Sequence, residues 1–159
     1  MLKIKIVSVG KLKEKAMREL TAEYEKRLSR YCSLTMVELA DLALPEKPSQ
    51  GEIDAVLKKE GREIEKHLSQ RGLNIALCIE GKSYSSTAFA EQISKASLQY
   101  SEMVFVIGSS HGIDAAVKKQ CGLLLSMSEM TFPHNFARLM LLEQIYRSFK
   151  IISGESYHK

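Results

Sequence analysis

Residues able to move a proton or hold an anion crowd into the last thirty positions: His134 after Phe132 and Pro133, then Arg138, Glu143 and Arg147, then Tyr157, His158 and Lys159. His134 falls in the first turn of an apolar-periodic segment, where the helix dipole disfavours an imidazolium. A neutral imidazole there can accept a proton or a hydrogen bond from a ligand. The plainer reading is a surface histidine at a helix start, with Arg138, Glu143 and Arg147 as an exposed ion-pair network. The tail is harder to set aside. Chain ends usually fray and carry bland polar residues, whereas this one closes on a phenol, an imidazole and an ammonium.

Other constellations are weaker. Gly81-Lys82-Ser83 has the tail of a phosphate-binding loop, but that motif needs a glycine five residues earlier and position 76 is Ala. An NTPase is excluded on that ground. Gly108-Ser-Ser-His-Gly112 follows an apolar strand pattern, where α/β proteins bind ligands, yet it lacks the dinucleotide fingerprint Gly-x-Gly-x-x-Gly. It reads either as a backbone-rich ligand loop or as a plain tight turn. His67, His111, His134 and His158 show no zinc spacing, so no metal is expected. No Gly-x-Ser-x-Gly elbow is present. Cys32, Cys78 and Cys121 are odd in number and far apart, which suggests free thiols, with Cys78 and Cys121 as core residues.

The elements that must position these groups follow from periodicity. Strands are predicted at 3–9, 34–39, 73–79, 103–107 and near 123–126, and helices at 12–31, 52–68, 86–99, 113–119 and 134–152. Pro45, Pro48 and Gly51 mark 41–51 as a loop, and a serine before residue 86 is the expected N-cap. Strands alternating with helices predict an α/β fold, a parallel-rich sheet with helices on both faces. The 159 residues, 45% hydrophobic and 26% charged, fit a single domain, 1–159. No leader-like apolar core and no membrane-length apolar run is present, so the expected location is the cytoplasm, away from membranes.

The formal net charge is +4, and residues 1–30 hold nine Lys/Arg against four Glu. Lys11, Lys13, Lys15 and Arg18 could form an electrostatic footprint for nucleic-acid phosphates. A solvated helix face with interleaved Glu14, Glu19, Glu23 and Glu25 is the plainer alternative.

One ordered set of short motifs runs through the chain: Val9-Gly10-Lys11, Glu23-Tyr24-x-x-Arg27, Glu60-Gly61, Gly81-Lys82, Phe105-Val-Ile-Gly108-x-x-x-Gly112, Met130-Thr-Phe-Pro-His134, Arg138, Glu143-Gln-x-Tyr-Arg147 and Tyr157-His158. The set resembles the ribosomal large subunit methyltransferase H family from end to end. The resemblance implies a SPOUT fold with a C-terminal trefoil knot, and a homodimer whose active site draws on both subunits. It implies S-adenosylmethionine as methyl donor and N3 of pseudouridine 1915, in helix 69 of 23S rRNA within the assembled ribosome, as acceptor. By position, the cofactor pocket maps onto Leu77, Gly108, Met127, Ser128, Glu129, Met130, Thr131 and Phe132. His134, Arg138, Tyr157 and His158 become the catalytic face toward RNA, and Lys159 joins the basic residues as an RNA contact. Two departures stand out. Ser109 replaces the family's second glycine, which could narrow the pocket mouth, and Lys159 replaces an arginine, losing its planar fork.

Methyl transfer from a sulfonium is a displacement at carbon, so alignment dominates, with reacting atoms ~3–3.5 Å apart. The N3 proton must leave at or before attack, and His134 and His158 are the candidate bases, with Arg138 and Lys159 available to stabilise negative charge. Two rivals use the same residues differently: a ribosome-binding factor without a cofactor, and a small-molecule enzyme using another nucleotide.

Overall fold

Odd–even alternation along the strands sorts the core into two layers. In the computed structural model, which describes residues 1–157, β1 (Lys3–Val9), β2 (Ser33–Leu39), β3 (Leu73–Ser83), β4 (Glu102–Ile107) and β5 (Leu123–Ser126) form one sheet in the order β2-β1-β4-β3-β5. Every paired strand is parallel. Ile4, Ile6, Ile75, Met103, Phe105 and Ile107 face one side, while Val7, Val9, Ala76, Val104 and Val106 face the other. The first side is covered by α1 (Lys15–Leu28), α3 (Ser86–Gln99) and α5 (His134–Ile152) through Leu28, Phe89, Ile93, Leu141, Leu142 and Ile145. The second is covered by α2 (Gln50–Glu65) and α4 (Ala115–Lys119) through Ile64 and Val117. This is the two-faced parallel sheet that the alternation of elements predicts.

The boundaries differ where particular side-chain or strand partners override the apolar pattern. The first helix begins at Lys15 rather than 12, because 11–14 forms a loop held by Glu38 on β2, which accepts from Leu12 N, and by Arg18 in the first turn of the helix. Arg18 Nη1 donates to Leu12 O at 3.2 Å and to Lys13 O at 2.5 Å. The second helix starts earlier than periodicity places it. Ser49 Oγ accepts from Glu52 N at 3.2 Å while Glu52 Oε1 accepts from Ser49 N at 3.3 Å, a reciprocal cap. The Gly81-Lys82-Ser83 segment is strand rather than turn. Leu77 and Lys82 both face Leu125, so β3 slips register and continues against β5. The capping serine of α3 is Ser85, which accepts from Ala88 N at 3.1 Å.

The chain order creates a crevice. From β1 it departs through α1 on one face toward β2; from β4, the neighbour of β1, it departs through α4 on the other face toward β5. Adjacent strands whose connections diverge leave a gap at their carboxyl ends, the usual ligand position in open α/β sheets.

Candidate active site

At the carboxyl end of β1, Gly10 takes φ +101°, and a Cβ built there would stand 2.9 Å from His134 Nε2. The glycine is therefore required twice, for its left-handed backbone and for the imidazole lying over it. Arg138, one turn along α5, lies beneath. The sequence pattern places it in an exposed network, but it is only 1% exposed. Its Nη2 donates to Gly10 O at 2.9 Å and its Nη1 to Glu38 Oε2 at 3.1 Å. Leu12 N also donates to Glu38 Oε2, at 2.8 Å. Partial burial works to raise the Glu38 carboxyl, but the Leu12 N–H and the Arg138 guanidinium outweigh it, and the net shift is downward. Glu25 on α1 shares this field, and burial raises its carboxyl against the pull of Arg138.

Two signals in the sequence foretell this corner. Arg138 heads the stripe Arg138, Leu141, Leu142, Ile145 that faces the core. Glu38 continues the alternation Leu34, Met36 onto that same face. Arg138 was legible as a core-facing position and Glu38 as the partly solvated continuation of that face, and Glu38 is the residue that motif reasoning leaves out.

Beyond β4, the 108–112 loop folds back on itself. Gly112 N donates to Ser109 O at 2.9 Å, and a Cβ on Gly108 would sit 2.2 Å from Gly112 O, so the loop closes only with glycine at 108. Ser109 does not point into the crevice mouth. Its Oγ donates to Glu60 Oε1 on α2 at 2.9 Å. Glu60 is 4% exposed, and its Oε2 has no hydrogen-bond partner among the described residues. Burial raises the Glu60 carboxyl; the Ser109 hydroxyl opposes that, and Asp41 adds to it. A cavity of about 250 Å³ opens above, lined by Asp41, Leu42, Ala43, Leu44, Val56, Ser109, Ser110 and His111.

The segment 127–132 leaves β5 at the same edge. Ser126 Oγ donates to Ser128 O at 3.1 Å and Met130 N to Ser128 Oγ at 3.0 Å, which shapes the loop from within. Glu129, Met130, Thr131 and Phe132 are exposed, Met130 by 74% and Phe132 by 38%. Leu77, on β3 between Ile107 and Leu125, is half-buried just below. Met127 lines a second cavity, about 220 Å³, with Tyr84, Ser86, Phe89, Met140 and Gln144. Uncovered apolar side chains beside backbone-rich loops suit an adenosyl group. Each cavity alone falls below the roughly 300 Å³ at which small-molecule pockets begin.

The predicted catalytic set is divided. Tyr157 lies along the second half of α5, its hydroxyl donating to Glu143 Oε1 at 3.3 Å and its ring 5.1 Å from Tyr146 and 4.7 Å from the Arg147 guanidinium. Glu143 is nine residues beyond His134, roughly 13 Å along the helix axis. Burial, then Tyr24 and Glu143, push the Tyr157 phenol up, so it acts as a hydrogen-bond donor. His158 and Lys159 lie outside the described residues. Of the basic residues at 11–18, Lys11 and Lys13 are exposed, Lys15 pairs loosely with Glu19 at 3.7 Å, and Arg18 is committed to its loop carbonyls. Among the described residues no group of three or more His, Cys, Asp or Glu could hold a metal ion, and no helix is long and apolar enough to cross a membrane.

A parallel α/β sheet with a crevice at its carboxyl edge, bounded by the loops after β1, β4 and β5, defines the class. The family model described as "Predicted SPOUT methyltransferase" matches residues 2–158. Proteins named "Ribosomal RNA large subunit methyltransferase H" are similar throughout. Those of Streptococcus suis (strain 05ZYH33) and Streptococcus equi subsp. zooepidemicus (strain MGCS10565) are 46% identical, and that of Streptococcus pyogenes serotype M49 (strain NZ131) is 43% identical, each over 159 residues covering 99% of this chain and 100% of the relative. The chain belongs to the large subunit methyltransferase H family of SPOUT methyltransferases.

Proposed function

We propose that this protein methylates N3 of pseudouridine 1915 in helix 69 of 23S rRNA within the assembled ribosome, using S-adenosylmethionine, in the cytoplasm. The observation that carries this reading is identity of 43–46% over the full chain to relatives whose name specifies large-subunit rRNA methylation. The whole chain acts as one SPOUT domain, with the family's trefoil knot formed by its C-terminal segment. When bound, S-adenosylmethionine supplies an electrophilic methyl on sulfonium. Leu77, the 108–112 loop and 127–132 hold it, Met130 and Phe132 covering its apolar surface and Gly108 presenting backbone.

His134 and His158 are the bases offered to the N3 proton. Arg138, buried on Glu38 and Gly10, fixes the β1 terminus and the start of α5, so that the imidazole of His134 is held over Gly10. Lys11, Lys13 and Lys15, with Lys159, carry positive charge toward RNA phosphates. A homodimer completes the site. The separation of Tyr157 from His134 along α5, the undersized cavities, and the exposed Met130, Phe132 and Phe136 support a second copy bringing its own tail to this edge. Mass spectrometry of the helix 69 fragment from cells lacking this protein tests the assignment. The N3-methyl mark should vanish, and its persistence would refute the reading.

A further inference from the structure

We propose that Glu60 is a positioning residue for methyl transfer: through Ser109 it clamps the 108–112 loop to α2 and so sets the shape of the cofactor wall. The proposal rests on the reading that this loop lines the cofactor site. Two observations carry it. Glu60 is 4% exposed on a helix otherwise rich in solvated charge, a position carboxylates occupy only when a partner requires them. Among the described residues its side-chain hydrogen-bond partner is the Ser109 hydroxyl, at 2.9 Å, and the Leu42 N–H also bears on the carboxylate.

The geometry explains why the loop needs an outside hold. Residues 108–112 are tied to each other by Gly112 N to Ser109 O and by one isolated bridge between Ser109 and Gly112. Gly112 sits at φ +96° with open space around it, and Ser110, His111 and Gly112 are exposed. Such a segment opens at low free-energy cost unless something fixes it from beneath. Gly61, beside Glu60, has the Asp114 side chain against it, 3.0 Å from where a Cβ would stand, so α2 meets the loop and the start of α4 together. The Ser109 hydroxyl supplies that hold through a charge-assisted bond to Glu60, the stronger kind of hydrogen bond.

The test compares S109A, S109G, E60A, E60Q and the S109A/E60A double variant in the full-length protein. Hydrogen exchange at the 108–112 amides should quicken about tenfold in S109A and E60A, the scale of one lost bond to a charged group. Calorimetric affinity for S-adenosylmethionine should fall, and its KM rise, by about 5–10-fold while kcat on ribosomes stays within about twofold. S109G should be weaker than S109A, E60Q should recover most of the loss because its amide oxygen still accepts from Ser109, and the double variant should be no worse than E60A. Unchanged exchange in S109A, a variant with little risk to folding, would overturn the clamp. Additive losses in the double variant would do the same. Quickened exchange with unaltered cofactor affinity would sink the cofactor-wall reading and the catalytic half of this proposal, leaving the clamp supported.

Discussion

Buried Arg138 shows how one residue can serve a site without touching it. Its guanidinium joins the end of β1, the end of β2 and the start of α5 through two bonds of 2.9 and 3.1 Å. Removing its counter-charge leaves a cation in the core, so E38Q should lower stability by about 2 kcal/mol in urea denaturation, less than the roughly 3–5 of a fully buried pair because Glu38 is partly solvated. The pH dependence follows from the downward shift of the Glu38 carboxyl. A depressed acid contributes stability above its unfolded value, here 4.5, and loses that contribution as pH falls through the lower folded value. The gap in Tm between wild type and E38Q should therefore be widest near neutrality and close below about pH 4. A gap that widened on acidification would contradict the assignment. Glu60 carries the opposite sign, raised by burial, so E60Q should be neutral or mildly stabilising at pH 7–8 even where it perturbs the loop.

At the scale of elements, the 11–14 loop and the C-terminal tail are the two segments whose roles are testable by charge and by deletion. Arg18 braces the loop, which leaves Lys11, Lys13 and Lys15 as its outward charges. Reversing these three to Glu should weaken ribosome binding, by a larger factor at 50 mM than at 200 mM salt, because each phosphate contact releases counterions. Equal loss at both concentrations would remove RNA from the explanation. The tail is docked by more than its last residues. Tyr31 Oη donates to Glu155 at 2.8 Å, Lys150 pairs with Glu155, and Tyr31, Tyr146 and Tyr157 form linked edge contacts around it. Deleting residues 157–159 should abolish methylation of ribosomes while shifting Tm by no more than a few degrees, since Tyr157 is the only described residue lost from that cluster. A collapse of Tm would make the tail structural first.

At the scale of the whole molecule, three of the exposed large apolar side chains fall within one short stretch, 130–136. Met130, Phe132 and Phe136 are 74%, 38% and 49% exposed, next to the loops assigned to the cofactor. If a second copy covers them, F136E should convert a dimer to a monomer in sedimentation velocity and lose methylation, since each site would then lack the partner's tail. A wild-type protein that sediments as a monomer at micromolar concentration would end the shared-site reading.

Alternation and periodicity alone determined the existence and order of the strands and helices and their two-faced packing, because each depends on which residues within a turn or a pair of strands are apolar. Arg138 shares the core-facing spacing of Leu141, Leu142 and Ile145, yet its charge reads as surface until the fold shows it 1% exposed. Three things belonged to tertiary structure. The continuation of β3 through Ser83 depends on β5, some forty residues later in the chain. Arg138 and Glu38 read as isolated charges until a separation of 100 residues is folded into a 3.1 Å bond. Ser109 reads as an obstruction at the crevice mouth until its side chain is seen turned away, onto Glu60. Local sequence fixes which face a side chain takes, but only the packed chain decides what waits there to meet it.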